Sequence, residues 1–506
     1  MEYPFSSDAV ARYDALADAV GNGAVDAQTA QDLLLPSYLD AVGAGASIFG
    51  RQVLYRRLRR GQDADGLSAS RERVRMLLAD SAARERIAAA LQPLRKASAE
   101  VTEALFVPPS AAAGLSFAGL PPSAGMSAES PLPPVPRWSS CLWIVPATFL
   151  ASAAVSFFWP TALAATVVLS LVLAAIQTTF HTRIQNWGAI AEALQLQLYA
   201  HSKQSDMPGA DKAAQLRSKL APAPLSAIPG LAEYCDWVMQ ANLKHYFQTR
   251  RLVREHAAFL RESYQLVANL DADLALARHL ATQSQWCWSE EGWEQEIQLQ
   301  AVTHPQLADA QALDISLDGK SAFISGQNGI GKSTLLRTVG LNLLTARGFG
   351  FCYAASARVP YLPVFASMQN EDALADGESL YQSELRRAHE LLSLARQPQR
   401  AVYIIDEIFR GTNHMESVSA AAAVLEQLAA QGTVLVSSHN VVLAQLLDRS
   451  CVPLLVQKRA GRLVLTPGVL SETNGLTLLA ESGFDPAIEQ RAREVYKRLS
   501  GRLLPA

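Results

Sequence analysis

Cysteine is scarce and poorly placed for cross-linking. The 506-residue chain has five, Cys141, Cys235, Cys287, Cys352 and Cys451, far apart in sequence, odd in number and without a CxxC pair. That pattern argues against a disulfide framework or a zinc site and suits a reducing compartment. A charge imbalance is missing too. The net charge of −3 and pI near 6.3 give no global attraction to nucleic acid, so any such contact must come from a local patch. The N-terminus has no basic stretch followed by an apolar one, so no signal peptide is expected. The last absence is local: Trp138 to Phe180 contains no Asp, Glu, Lys or Arg.

With 49% hydrophobic and 18% charged residues, the chain can bury large cores, and its length allows about three domains. Residues 8–105 read as helices, with Leu54, Leu58 and then Val74, Leu77, Leu78 at helical spacing. Eight prolines between Pro108 and Pro136, among Ser, Ala and Gly with Glu129 as the one charge, mark a linker. The uncharged run that follows divides at Trp159-Pro160 into two stretches of about the 20 residues a membrane-spanning helix needs. Trp138, Trp143 and Trp159 fall where interfacial aromatics sit, and Arg137 and Arg183 flank the run. A hairpin buried in a large soluble core is the alternative. From Leu231 to Leu280 there is no Gly or Pro; this stretch is one helix of ~75 Å at 1.5 Å per residue, or shorter helices with an unmarked bend.

From residue 312 the pattern turns α/β. Ala322–Ile324, Ala401–Ile405 and Thr433–Val436 are apolar runs of the buried-strand kind, and Val452–Val456 with Arg462–Leu465 resembles a hairpin. Gly326-Gln327-Asn328-Gly329-Ile330-Gly331-Lys332-Ser333 fits G-x-x-x-x-G-K-[ST] between a strand and a helix expected over 331–345. Such a loop turns its N–H groups toward phosphate oxygens, with the helix N-terminus behind them. Lys332 then reaches the β- and γ-phosphates, and the Ser333 hydroxyl binds Mg²⁺. Val402–Ile405 followed by Asp406-Glu407 is the matching second half: Asp406 for Mg²⁺, Glu407 to polarise the attacking water. His439, after the strand at 433–436, is placed to hydrogen-bond the γ-phosphate.

The segment Asp406-Glu407-Ile408-Phe409-Arg410-Gly411-Thr412-Asn413 resembles the DEI-x-RGT segment of MutS proteins. Ser325–Asn328 with Gly331–Arg337, including Thr334, resembles their phosphate loop. Thr303-His304-Pro305-Gln306-Leu307 is similar to the strand that opens their ATPase domain, and Phe351–Ala355 to their G-x-[FY]-V-P-A stretch. Gly377–Leu385 resembles their G-x-S-x-F-x-x-E-[ML] signature, and Asn474-Gly475-Leu476, Ala480, Gly483 and Arg491-Ala492 follow the pattern that closes the domain. Asp40 and Gly50–Leu58 are similar to the start of the MutS core domain. The resemblance implies a homodimer with composite sites, in which Ser379 of one subunit faces ATP bound to the other. Three departures stand out. Gly329 replaces the family's usual Met, the N-terminal mismatch-reading domain is not seen, and none of the sixteen phenylalanines is followed two residues later by Glu. The chain also ends near the ATPase domain.

The resulting expectation is a multidomain chain: an α-helical MutS-type core over 1–106 and 182–300, a Pro-rich linker at 107–137, an inserted transmembrane helical hairpin at 138–181, and an α/β P-loop NTPase domain at 301–506. ATP and Mg²⁺ are the expected cofactors. Lys332, Glu407 and His439 are the catalytic residues; residues 326–334 (Gly326, Gln327, Asn328, Gly329, Ile330, Gly331, Lys332, Ser333, Thr334) and, in trans, Ser379 bind nucleotide; Ser333 and Asp406 hold metal. The hairpin implies the cell membrane, with two spans and both soluble parts in the cytoplasm. DNA is left open as a partner; Arg51, Arg56, Arg57, Arg59 and Arg60, followed by Arg71, Arg73 and Arg75, are either a phosphate-contacting patch or a solvated helix face. The competing classes are an ABC transporter subunit, for which an LSGGQ-type signature is missing, and an SMC-like structural ATPase.

Overall fold

The computed structural model describes residues 5–17, 24–106, 132–222, 231–308, 310–368, 380–410, 413–459, 462–470 and 484–503. The chain divides into two compact units. The first contains residues 1–20, 41–56 and 72–281, the second 21–40, 57–71 and 282–506. The amino-terminal helices are α1 (Ser7–Ala17), α2 (Ala27–Asp32), α3 (Leu35–Val42), α4 (Ile48–Arg60), α5 (Ala64–Ala79), α6 (Ser81–Leu91) and α7 (Thr102–Phe106). Then come α8 (Ile144–Ser156), α9 (Ala162–Ser202), α10 (Ala210–Leu220), α11 (Leu231–Trp237), α12 (Ala241–Glu255) and α13 (Ala257–Thr282).

In the helical unit α13 buries Leu260, Tyr264, Val267, Leu270, Leu274 and the alanines between them, while Glu262 and Gln265 in its first half stay exposed. Its fully buried Asp271 accepts hydrogen bonds from Ser47 N–H (2.9 Å), the Ser47 hydroxyl (2.6 Å) and Gly50 N–H (3.2 Å) at the start of α4. Burial pushes this carboxyl up, against those hydrogen bonds and the charge of Arg95. Gly50 is required by the close approach: a Cβ there would lie 2.5 Å from the Asp271 carboxylate and 3.2 Å from the backbone nitrogen of Ala272.

The stretch 231–280 is not one helix. Gln240 sits in the left-handed region at φ +52 and separates α11 from α12, while its amide donates to Leu173 O (3.4 Å) and Trp237 O (3.1 Å). A second break falls at His256, whose φ of −111 ends α12. Glutamine carries no local signal for a left-handed turn; the tertiary contact with α9 supplies it.

The uncharged run forms an antiparallel pair, a short 3-10 turn (Arg137–Cys141) with α8, then α9, and both stretches are long and apolar enough to cross a membrane. The hydroxyls of Ser152 and Thr166 meet at 2.9 Å, and the rings of Trp138 and Phe180 at 6.2 Å. Beyond Phe180, α9 continues into the unit's core, where Trp187, Leu194 and Leu198 are buried and Trp187 Nε1 donates to Thr249 Oγ1 at 2.7 Å. Most of the Pro-rich segment, 107–131, lies outside the described residues.

The second unit is α/β. Its elements are β1 (Cys287–Trp288), β2 (Glu290–Glu291), β3 (Glu296–Val302), β4 (Leu313–Asp318), β5 (Ser321–Gly326), α14 (Lys332–Phe349), β6 (Phe351–Cys352), β7 (Ser356–Val359), β8 (Val364–Ser367) and α15 (Leu380–Ala395). They continue with β9 (Val402–Asp406), α16 (His414–Gln431), β10 (Thr433–Ser437), α17 (Val442–Leu446), β11 (Cys451–Arg459), β12 (Arg462–Pro467) and α18 (Pro486–Leu503). The main sheet runs β12-β11-β5-β10-β9-β8, parallel except for the antiparallel β11–β12 pair that the sequence suggested. The Thr303–Leu307 segment, expected as a strand, is instead a turn after β3, closed by Leu307 N–H to His304 O at 3.2 Å.

Residues 21–40 and 57–71, expected within the helical part, belong to this α/β unit. The reason is the edge of the sheet. β8 is an outer strand, and two of its outward N–H groups find side chains on α2. Ala366 N–H donates to Thr29 Oγ1 and Met368 N–H to Asp32 Oδ2, both at 2.8 Å. Arg387 on α15 closes the arrangement, binding Ala366 O, Thr29 and Asp26. An edge strand so covered is no longer a template for further pairing.

Burial raises the Asp32 carboxyl to about 6 from 3.8, against hydrogen bonds from Met368 and Gln28 and the charges of Arg387 and Arg337. Between those two values the folded chain holds a proton that the unfolded chain releases. Stability from this group therefore falls as pH rises from about 4 to 6 and is level above, a difference of roughly 2–3 kcal/mol. Asp32→Asn, neutral throughout, is expected to gain in melting temperature relative to the parent chain over that window, as followed by scanning calorimetry. A difference that does not vary with pH would contradict it.

Candidate nucleotide site

The register of the sheet builds the site. Ser437 of β10 pairs with Asp406 of β9 on one side and Ile324 of β5 on the other, so β9 and β10 end in one row and β5 ends two residues beyond it, at Gly326. The chain leaving each strand emerges at the same edge: the glycine loop after β5, Glu407 after β9, and Ser438-His439 after β10. The carboxyl ends of parallel strands are where α/β sheets place their ligands.

The loop requires its glycines. Gly329 and Gly331 have φ +73 and +105, a region that side chains disfavour. At Gly326 a Cβ would meet Val456 O at 3.0 Å. Gly331 is the N-cap of α14, and Lys332 and Ser333 begin the helix. The Lys332 ammonium donates to the carbonyls of Gly326 (3.1 Å) and Gln327 (3.2 Å) in its own loop. Burial holds its pKa below the ordinary lysine value, while Asp406 and Glu407 act in the other direction.

Asp406 is buried and accepts a hydrogen bond from the Ser437 hydroxyl. Glu407 then turns into the left-handed region at φ +59, and its N–H donates to Ser437 O at 3.0 Å. This turn, repeated at Phe409 (φ +57), is strain of the kind stored at functional sites, of order 1–3 kcal/mol per residue. It brings the carboxylate of Glu407 to His439 Nε2 (2.9 Å) and Arg410 Nε (3.1 Å). The hydrogen bond from His439 holds the Glu407 carboxyl below its ordinary range; burial opposes this, and Arg410 and Lys332 reinforce it.

The structure thus brings Lys332, Asp406, Glu407 and His439 to one place, with Gly326 and Gln327 as partners of the lysine; Asn328 through Ile330 complete the loop, and Ser333 and Thr334 occupy the first turn of α14. Ser379 lies outside the described residues, as do Gly411-Thr412 and the 471–483 segment. Sequence reasoning quoted Arg410 and Glu384 inside motifs but gave them no role. Arg410 bridges the two carboxylates, its backbone N–H donating to Glu384 Oε2 at 2.9 Å. In the arginine-rich stretch 51–60, Arg51 and Arg57 are buried, while Arg56, Arg59 and Arg60 are half-buried. Arg51 donates to Gly43 O, Arg57 to Ser70 Oγ and Arg59 to Val25 O, while Arg56 lies over the Tyr13 ring.

An α/β sheet whose central strand ends in a glycine loop and lysine, with an acidic pair on the next strand but one, defines the class of domain. The family described as MutS domain V matches residues 322–500. DNA mismatch repair protein MutS from Synechococcus sp. (strain CC9311) is 28% identical over 280 residues, covering 52% of this chain and 30% of that protein. Its counterpart in Thermus aquaticus is 26% identical over 268 residues (51% and 32%), and that of Myxococcus xanthus (strain DK1622) is 28% identical over 314 residues (54% and 34%). Residues 322–500 are thus matched by the MutS domain V family, and the chain spans about a third of the length of these relatives.

Arg410→Ala is expected to destabilise the α/β unit by about 1 kcal/mol, a small figure because the guanidinium is partly exposed. Since Glu407 titrates below 4.5, the loss should be full above that pH and shrink as pH falls and the carboxylate protonates. Thermal melting of both proteins across pH 4 to 8 checks the sign.

Proposed function

We propose that this chain is an ATP-hydrolysing enzyme of the MutS type that works as a homodimer and is tethered to a membrane by its hairpin. The observation that carries the enzymatic reading is the convergence of Lys332, Asp406, Glu407 and His439 beside the 326–333 loop. The residues fit a nucleoside triphosphate. The loop's glycines allow close backbone approach, and the lysine's partners are loop carbonyls that phosphate oxygens can replace. Mg²⁺, when bound, would be held by the Ser333 hydroxyl and the Asp406 carboxylate, an all-oxygen donor set, and would neutralise charge on the β- and γ-phosphates.

The chain's own residues do the rest. Lys332 holds the β- and γ-phosphate oxygens. Glu407, kept ionised by its partners, accepts a hydrogen bond from the attacking water and orients it in line. The water oxygen bonds to the γ-phosphorus as the bond to the β–γ bridging oxygen breaks, leaving ADP and phosphate. His439, already on Glu407, is positioned to donate to the γ-phosphate. Ser379 of the second subunit completes the site, as the family signature implies.

The matched relatives carry DNA mismatch repair in their names, and we take DNA as the ligand whose binding the ATP cycle controls. Arg51 and Arg57 are buried and so are poor candidates for its contacts; Arg56, Arg59 and Arg60 are half-buried. Binding to duplex, branched and mismatched DNA at several salt concentrations, with and without ATP, tests that part. The membrane reading rests on the exposure of α8 and α9, and it keeps both soluble parts on the cytoplasmic side, where ATP is.

Lys332→Ala and Asp406→Ala should lower steady-state ATP turnover by at least a hundredfold, whereas Glu407→Gln should retain ATP binding and accumulate an ATP-bound dimer. Normal turnover by Glu407→Gln protein would remove the role given to that residue. Ser379→Arg and Lys332→Ala chains, each inactive alone, should recover part of the activity when mixed, because a mixed dimer holds one site with both residues intact. Mixed dimers that form and stay inactive would exclude composite sites.

A further inference from the structure

Among the described residues, the two most exposed large hydrophobic side chains, Phe157 and Phe158, lie at the outer end of the hairpin. Phe157, Phe158 and Trp159 are 87%, 78% and 68% exposed. Leu163, Val167, Val168, Leu171 and Val172 are exposed along α9, at positions that sweep about half its circumference at 100° per residue, and Leu150 and Val155 are exposed on α8. A protein partner covers a stripe; helices apolar over so wide an arc suit a lipid interior. The base of the hairpin has the complementary chemistry. Arg137, Arg183 and Lys244 are exposed there, with Glu233 the exposed acid, and Tyr234 and Trp237 on α11 are exposed side chains of the interfacial kind.

The bare length of the hairpin fixes how far it can enter. Ser152 against Thr166 and Trp138 against Phe180 place the two helices in one register, so Pro146 and Leu173 stand at the same level. Both are buried, and Gln240, between α11 and α12, reaches Leu173 O at that level. Outward from there α9 has only Ala162 to Val172, about 16 Å of helix. The hydrocarbon core of a bilayer is about 30 Å thick. To span it, the hairpin would draw the α11–α12 junction inside, and with it Asp236, Lys244 and His245, where charge is strongly disfavoured.

We propose that the hairpin is a wedge entering a single leaflet of a bilayer that contains anionic lipid, with Phe157–Trp159 near the midplane and the α11–α12 junction at the head groups. This rests on the membrane reading above, and the test separates the two. The full-length chain is reconstituted into vesicles of phosphatidylethanolamine and phosphatidylglycerol. Failure to float with vesicles would remove the membrane reading itself. If the protein floats, Phe158→Lys distinguishes the depths. At the midplane the new charge should weaken association about a hundredfold, whereas at the far head groups it should change little, which would overturn the wedge. In intact cells, a membrane-impermeant thiol reagent should give Trp159→Cys protein no label beyond that of the parent chain; added labelling from outside would show a full crossing. A lipid-free dimer abolished by Phe158→Lys would assign the surface to a second copy instead.

Discussion

The geometry of the candidate site depends on one piece of backbone register: Ser437 paired simultaneously with Asp406 and Ile324. That row sets the ends of the three strands within two residues of one another, and chain segments far apart in sequence then supply a lysine, two carboxylates and a histidine within reach of one another. β5, β9 and β10 are buried along their whole length, so their interiors tolerate only apolar and small residues, and charge is deferred to the strand ends. The left-handed turns at Glu407 and Phe409 follow from the same constraint. Continuing straight would carry Glu407 away from His439; turning costs backbone strain but keeps the carboxylate over the end of the neighbouring strand.

The helical unit is organised by polar anchors inside an apolar packing. Asp271 holds the start of α4, His201 Nδ1 meets Ser263 Oγ at 2.9 Å, and Gln197 reaches Leu260 O at 3.0 Å. Each fixes a helix crossing that alanine- and leucine-rich surfaces would leave free to slide. α9 is the exception in form, an unbroken 41-residue helix that is bare at one end and buried at the other. A displacement at the exposed end is carried along a rigid rod into the packing of the unit.

The glycine loop, the acidic strand end and the closing hairpin were legible because each needs particular residue types: glycine for left-handed backbone, aspartate and glutamate beyond an apolar run, alternation around a tight turn. The likeness to MutS domain V followed from the same segments. The break at Gln240 was invisible, since glutamine has no preference for left-handed backbone; its amide there donates to both Trp237 O and Leu173 O. The burial of Arg51 and Arg57 was equally hidden: their partners are a backbone carbonyl and a serine hydroxyl, which leave no charge pattern in a sequence. The bridge from Arg410 to Glu384 and Glu407 lay within quoted motifs, yet spacing alone cannot say which carboxylate an arginine will face.

The cover on β8 has a consequence for the order in which this chain can fold. Thr29 and Ala366 are 337 positions apart, as are, within one, Asp32 and Met368. Loops of that length close late, after the central strands have been synthesised and paired. During synthesis the outer edge of the sheet is therefore exposed until a segment made long before returns to it. For the same reason a fragment cut at residue 301 would carry the whole nucleotide loop but leave Ala366 and Met368 with open N–H groups on an apolar edge, a template for chain-to-chain pairing. The α/β unit is thus discontinuous in sequence, and its C-terminal part alone lacks the cover on the outer strand.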